Sequence, residues 1–172
     1  MSAERRQRGL AHLGSGEGRT VRVVGEMVTY KVTGEQTGGA CSLFEVTTKP
    51  GDGPLPHVQH WEDEAVYVLV GEYEFLVEGD TMTATPGSLV YVPRGRLHTY
   101  TNVGNEPGRM LTLYTPGGLH ENLFEEIGKD PEPSGPQVPG PSFDLGSVAE
   151  TAAKCGIEIP LLEGNRDERD KE

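Results

Sequence analysis

The stretch Gly51–Gly71, GDGPLPHVQHWEDEAVYVLVG, decides the fold. It sets His57, Gln59, His60 and Glu64 close together at the entry to the apolar run Val66-Tyr67-Val68-Leu69-Val70. A second stretch, Gly87–Asn102, GSLVYVPRGRLHTYTN, answers it with His98 ahead of Tyr100 and Asn102. Side chains alternate between the faces of a strand, so His57 and Gln59 share a face and His60 takes the other. A barrel that makes these strands neighbours brings His57, Gln59, Glu64 and His98 together in its interior. Two imidazoles and one carboxylate on one face suit non-haem Fe(II), with positions left open for substrate and oxygen. Zn(II), Mn(II), Ni(II) and Co(II) accept the same donors.

Working outward, short segments rich in Val, Thr, Tyr, Phe and Leu recur at 20–24, 26–33, 41–48, 65–70, 72–78, 81–84, 88–92, 97–103 and 109–115. Gly and Pro separate them, and Glu78-Gly79-Asp80-Thr81 reads as a tight hairpin turn. Many short strands at this spacing predict an all-β sandwich or barrel. After Pro116 the period changes. Leu119, Leu123, Phe124 and Ile127 predict a short amphipathic helix over 119–128, and Asp144 caps a second one over about 145–155. Three parts follow: a mobile N-terminal segment (1–19), a barrel (20–118), and a helical extension with a Pro-rich linker and polar tail (119–172). The helices suit packing on the outside of the barrel or on a partner subunit. The alternative is a lid over the barrel mouth.

The chain has 172 residues, enough to bury a core, and its 24 Gly and 13 Pro fit many tight turns. A net charge of −12 disfavours nucleic acid and anionic membrane surfaces as partners. No apolar run approaches the roughly 20 residues that span a bilayer. The opening MSAERRQRGLAHLG lacks the apolar centre of a signal peptide, so the expected location is the cytoplasm. Cys41 and Cys155 form no disulfide framework, which agrees.

The two quoted stretches resemble the cupin family. Its first motif, G-x5-H-x-H-x(3,4)-E-x6-G, meets Gly51, His57, Gln59, Glu64 and Gly71. Its second, G-x5-P-x-G-x2-H-x3-N, is matched in full by Gly87, Pro93, Gly95, His98 and Asn102. The resemblance implies a double-stranded β-helix, or jelly roll, with a metal held inside and a homodimer built through β-strands. The segment 38–80 looks most like small single-domain cupins grouped with quercetin 2,3-dioxygenase.

Gln59 departs from the motif, where the family has a second histidine. Four arrangements remain open: Gln59 ligates beside His57, Glu64 and His98; Gln59 only holds a water or substrate; a bulge swings His60 inward; or the barrel has lost its metal. Tyr100, Phe44 and Asn102 are the expected substrate contacts. Trp61 is expected to be exposed near the barrel mouth, Arg94 and Arg96 to be solvated, and Glu62 and Asp63 to be either surface charges or partners for imidazole N–H groups.

The expected activity is that of a metal-dependent dioxygenase acting on a small phenolic or enolic molecule, with Glu64 as both ligand and base. A redox-neutral isomerase, cyclase or lyase is the alternative, since the weaker Gln59 donor need not support oxygen activation. A non-catalytic binding module for a small ligand is the third possibility.

Overall fold

The computed structural model describes residues 9–131 and 143–160. Of the expected mobile start only residues 1–8 lie outside the described residues, whereas the Pro-rich linker lies largely and the polar tail wholly outside them.

The strands form because inward positions carry apolar or small side chains while outward positions carry polar ones. Strands β1 (Thr20–Val23), β2 (Glu26–Val32), β3 (Ser42–Thr48), β5 (Asp63–Val70), β8 (Leu89–Val92) and β10 (Gly108–Thr115) build one antiparallel sheet, in the order β1-β2-β3-β10-β5-β8. Strands β4 (His57–Gln59), β6 (Tyr73–Val77), β7 (Asp80–Ala84), β9 (Leu97–Asn102) and β11 (Ile157–Glu158) build the second, in the order β11-β4-β9-β6-β7. Their inner faces enclose one core in which Phe44 and Phe75 are fully buried. Phe44 is its hub and meets Tyr30 edge-on at 5.1 Å and Phe124 at 5.2 Å between ring centroids. The predicted all-β jelly roll is the observed architecture.

Local chemistry sets the connections. The β6–β7 hairpin pairs Val77 with Asp80, so Glu78 and Gly79 form its two-residue turn. Both have positive φ, 50° and 95°, which matches the twist of the flanking strands. A one-turn helix, α1 (Gly34–Thr37), was not legible in advance. It rests on a capping box in which Thr33 and Gln36 satisfy each other's backbone N–H groups.

Helix α2 (Leu119–Ile127) buries His120, Leu123 and Phe124, and α3 (Leu145–Lys154) buries Val148 and Ala152. Asp144 caps α3 as expected, accepting from the Gly146 N–H at 3.1 Å. Beyond α3 the chain turns at Gly156 and adds β11 to the edge of β4, pairing Ile157 with Gln59. This short strand covers an otherwise open sheet edge. Among the described residues no helix is long and apolar enough to cross a membrane.

Candidate metal centre

The site is assembled across the two sheets. His57 on β4 pairs directly with His98 on β9, which sets their rings 4.3 Å apart. Glu64 reaches them from β5 in the opposite sheet, beside Tyr114 on β10 and Val92 on β8. One donor atom from each of His57, Glu64 and His98 lies within 4.8 Å of the others, and all three residues are buried. That is the scale of one cation with bonds of about 2.0–2.2 Å.

Backbone geometry aims the imidazoles. His57 Nδ1 bonds the Leu55 carbonyl at 2.8 Å and His98 Nδ1 bonds the Arg96 carbonyl at 2.9 Å. Both Nδ1 atoms donate, so both Nε2 atoms face inward, the arrangement by which proteins fix ligating histidines. His98 Nε2 stands 2.9 Å from Glu64 Oε2. Burial pushes the Glu64 carboxyl up, but the hydrogen bond and charge of His98, with His57, outweigh it and hold Glu64 at about 2. Burial also opposes charge on His98, yet Glu64 raises its value above the ordinary imidazole range. Burial, with the His98 charge beside it, lowers His57 to about 4, so its Nε2 carries a lone pair at neutral pH.

Gln59 belongs to this cluster. Its Nε2 donates to Glu64 Oε2 at 2.9 Å and lies 3.4 Å from His57 Nε2, while Oε1 is buried without a partner. Amide N and O are interchangeable by a simple flip, which would turn Oε1 toward the donors. In the flipped orientation that oxygen joins two inward imidazoles and a carboxylate, a donor set that fits a cation. His60 takes no part: it is exposed and bonds Glu158 at 2.9 Å. Strand alternation holds without the bulge that would have swung it inward.

The cluster opens onto a cavity of about 70 Å³, room for more than one water-sized group. Its polar wall comprises His57, Glu64, Glu26, Tyr100, Tyr114 and His120. Its apolar wall comes largely from the C-terminal segment, through Leu123, Phe124, Ile127, Val148 and Ile157. The helices therefore close over the barrel interior, the alternative to packing outside it.

Of the expected substrate contacts, Tyr100 lines this cavity, but Phe44 and Asn102 do not. Phe44 sits deeper, at the core hub. Asn102 is committed to backbone: Nδ2 donates to the Thr48 and Glu106 carbonyls and Oδ1 accepts from the Gly104 N–H, each at 2.9 Å. Alternation gives the face of a side chain, not its depth or its partners.

Other charges found partners. Arg94 holds Asp63 through two hydrogen bonds of 3.0 Å, which keeps that carboxyl at about 2, and Arg96 pairs with Glu78. Trp61 is half exposed and rests on Gly156. Glu62 is buried and bonds His120 Nδ1, so it does serve an imidazole, though not one of the expected ligands. His120 itself was missed. Its ring stacks on Tyr114 at 3.8 Å and lies 6.3 Å from His57. Its place three and four residues before Leu123 and Phe124 was the available signal.

Residues 44–114, which span β3 to β10, match the sequence model of the cupin domain family. The chain is 25% identical over 116 residues to quercetin 2,3-dioxygenase of Bacillus subtilis, covering 67% of this chain and 34% of that protein. It is 30% identical over 82 residues to the polyketide synthase protein CurC of Streptomyces cyaneus, covering 46% of this chain and 53% of that one. The chain thus spans a third to a half of the length of these relatives. The structure of KdgF from Halomonas sp. superposes with a TM-score of 0.53 at 19% identity, over 59% of this chain and 91% of that one. A predicted oxalate decarboxylase from Thermotoga maritima gives 0.58 at 19% identity, over 63% and 99%. At such identity these structures speak for the fold alone. With matched sequence, a matched fold and a buried donor cluster where both motifs converge, residues 44–114 of this chain form a cupin domain.

Proposed function

We propose that this cupin is a metal-dependent dioxygenase acting on a small phenolic or enolic molecule. The observation that carries the reading is the buried His57, Glu64 and His98 cluster, of which His57 and Glu64 line a cavity whose other wall is apolar. His57, Glu64 and His98 would hold the ion, with the Gln59 amide oxygen as a fourth donor after a flip. When bound, such an ion supplies Lewis acidity and a route for electrons between an enolate and dioxygen.

The chain's own residues do the rest. Glu64, ionised at neutral pH, is placed to accept the proton of a substrate hydroxyl. Tyr114 and Tyr100, both pushed well above the ordinary phenol value by burial foremost, stay neutral and line the route to it. Leu123, Phe124, Ile127 and Val148 exclude water and suit a flat apolar ring. Likeness to quercetin 2,3-dioxygenase and to a polyketide synthase protein supports a substrate rich in phenolic or enolic oxygen.

One observation favours a redox-neutral isomerase or cyclase as the second reading. Gln59 places a neutral amide where the family motif has imidazole, and this weakens donation to the ion. Oxygen uptake by the metal-loaded protein, with quercetin as the probe, separates the two. Uptake in step with quercetin loss supports the dioxygenase. Conversion without uptake moves the assignment to redox-neutral chemistry, and failure to retain any metal refutes both.

A further inference from the structure

A carboxyl outside both motifs lines the same cavity. Glu26 opens β2, whose inward row continues with Val28 and Tyr30. An acid in an otherwise apolar row is costly to ionise. Its protein partners are two hydroxyls, and both donate to the same oxygen: Tyr100 Oη to Oε1 at 2.6 Å and Thr48 Oγ1 to Oε1 at 3.3 Å. Among the described residues no hydrogen bond reaches Oε2, and Glu26 contributes to the cavity wall beside Tyr100, His57 and Glu64. An acid group whose carbonyl oxygen is anchored by two donors, with its second oxygen left over, is laid out to carry its proton on that second oxygen.

We propose that Glu26 is a catalytic proton donor and acceptor for a ligand held in this cavity, with Tyr100 and Thr48 fixing Oε1 while Oε2 exchanges the proton. The proposal deepens the reading of the cavity as a substrate site and rests on it. In the step it assigns, the Oε2–H bond breaks and the proton forms a new O–H or C–H bond on the ligand. The charge left on Glu26 is met by the Tyr100 and Thr48 hydroxyls. A proton from the next ligand or from water restores the acid, and no electrons change hands. Glu26 on β2 and Glu64 on β5 line one cavity, so a ligand held there meets two carboxyls that reach it from different strands.

The surroundings agree with this division. Burial raises Glu26 to about 7; the Tyr100 and Thr48 hydroxyls oppose the rise, while Glu64 and Asp52 add to it. Tyr73 on β6 and Tyr114 on β10 also feel its charge, and His57 and His120 share its cavity.

Infrared spectroscopy of the metal-loaded protein across the neutral pH range tests the proposal without a substrate. The expected result is a protonated carboxyl band that is absent from E26Q, displaced in Y100F and shifted in heavy water. Wild-type and E26Q spectra that coincide at every pH, or a band that ignores heavy water, would overturn it. Turnover of quercetin is the second readout. E26Q should keep its metal and its affinity for quercetin while turning over about 100-fold more slowly, with the alkaline limb of the pH profile gone. Unchanged turnover in E26Q overturns the proposal. A wild-type protein without metal by elemental analysis would instead refute the proposed function, so the two failures are distinguishable.

Discussion

At the residue scale, the centre is set by which protons each donor gives up. His98 holds a proton against Glu64, with a value above the ordinary imidazole one, and a cation at Nε2 must displace it. The sign follows directly. Below the His98 value a rising proton concentration competes with the metal, so affinity should fall by up to about tenfold per pH unit as pH drops. Metal titrations over the neutral range check this, and affinity independent of pH would contradict it. Gln59→His should tighten binding, since imidazole is the stronger donor, while His98→Ala should lose more than the roughly 10–100-fold typical of outer partners. Glu26 adds a stability signature. Its value is raised, to about 7, so the folded state binds more protons than the unfolded chain between the ordinary carboxylate value and 7. Stability should therefore decline with rising pH in that window, by at most about 1.4 kcal/mol per unit, and the slope should flatten in E26Q. Denaturant titrations at several pH values measure it. His57, Gln59, Glu64 and His98 were legible because motif spacing and strand alternation agree on them. Glu26 was missed: its alternating row places it with inward apolar residues, but no motif in its own segment marks it. Asn102 misled because a motif position can serve a turn as well as a site.

At the element scale, the C-terminal segment matters most. Its helices were legible from their period and the Asp144 cap, yet their destination was not, because an apolar stripe does not name the surface that covers it. β11 was missed because two residues carry no period. Its docking depends on Gly156, whose φ is +75° and whose Cα faces the Trp61 ring. A side chain there meets both the left-handed backbone and the indole. Gly156→Ala should therefore cost about 1–3 kcal/mol in the docking of β11. Hydrogen exchange at Ile157 and His60 should accelerate while β6 and β9 stay protected, and unchanged exchange at β11 would contradict the role assigned to this turn.

At the scale of the whole molecule, the two sheets supply different halves of one site. The histidines pair across β4 and β9, and the carboxylate arrives from β5 across the barrel, so an ion would tie the sheets together. Metal that binds only the folded chain should stabilise it by about 2.7 kcal/mol at a hundredfold excess over Kd. Thermal unfolding with and without metal reads this directly. The most direct test of the central claim is anomalous diffraction from crystals of the metal-loaded protein. The account predicts one peak at bonding distance, about 2.0–2.2 Å, from His57 Nε2, His98 Nε2 and Glu64. No peak there, or a peak elsewhere with these three donors still bonded only to each other, would contradict it.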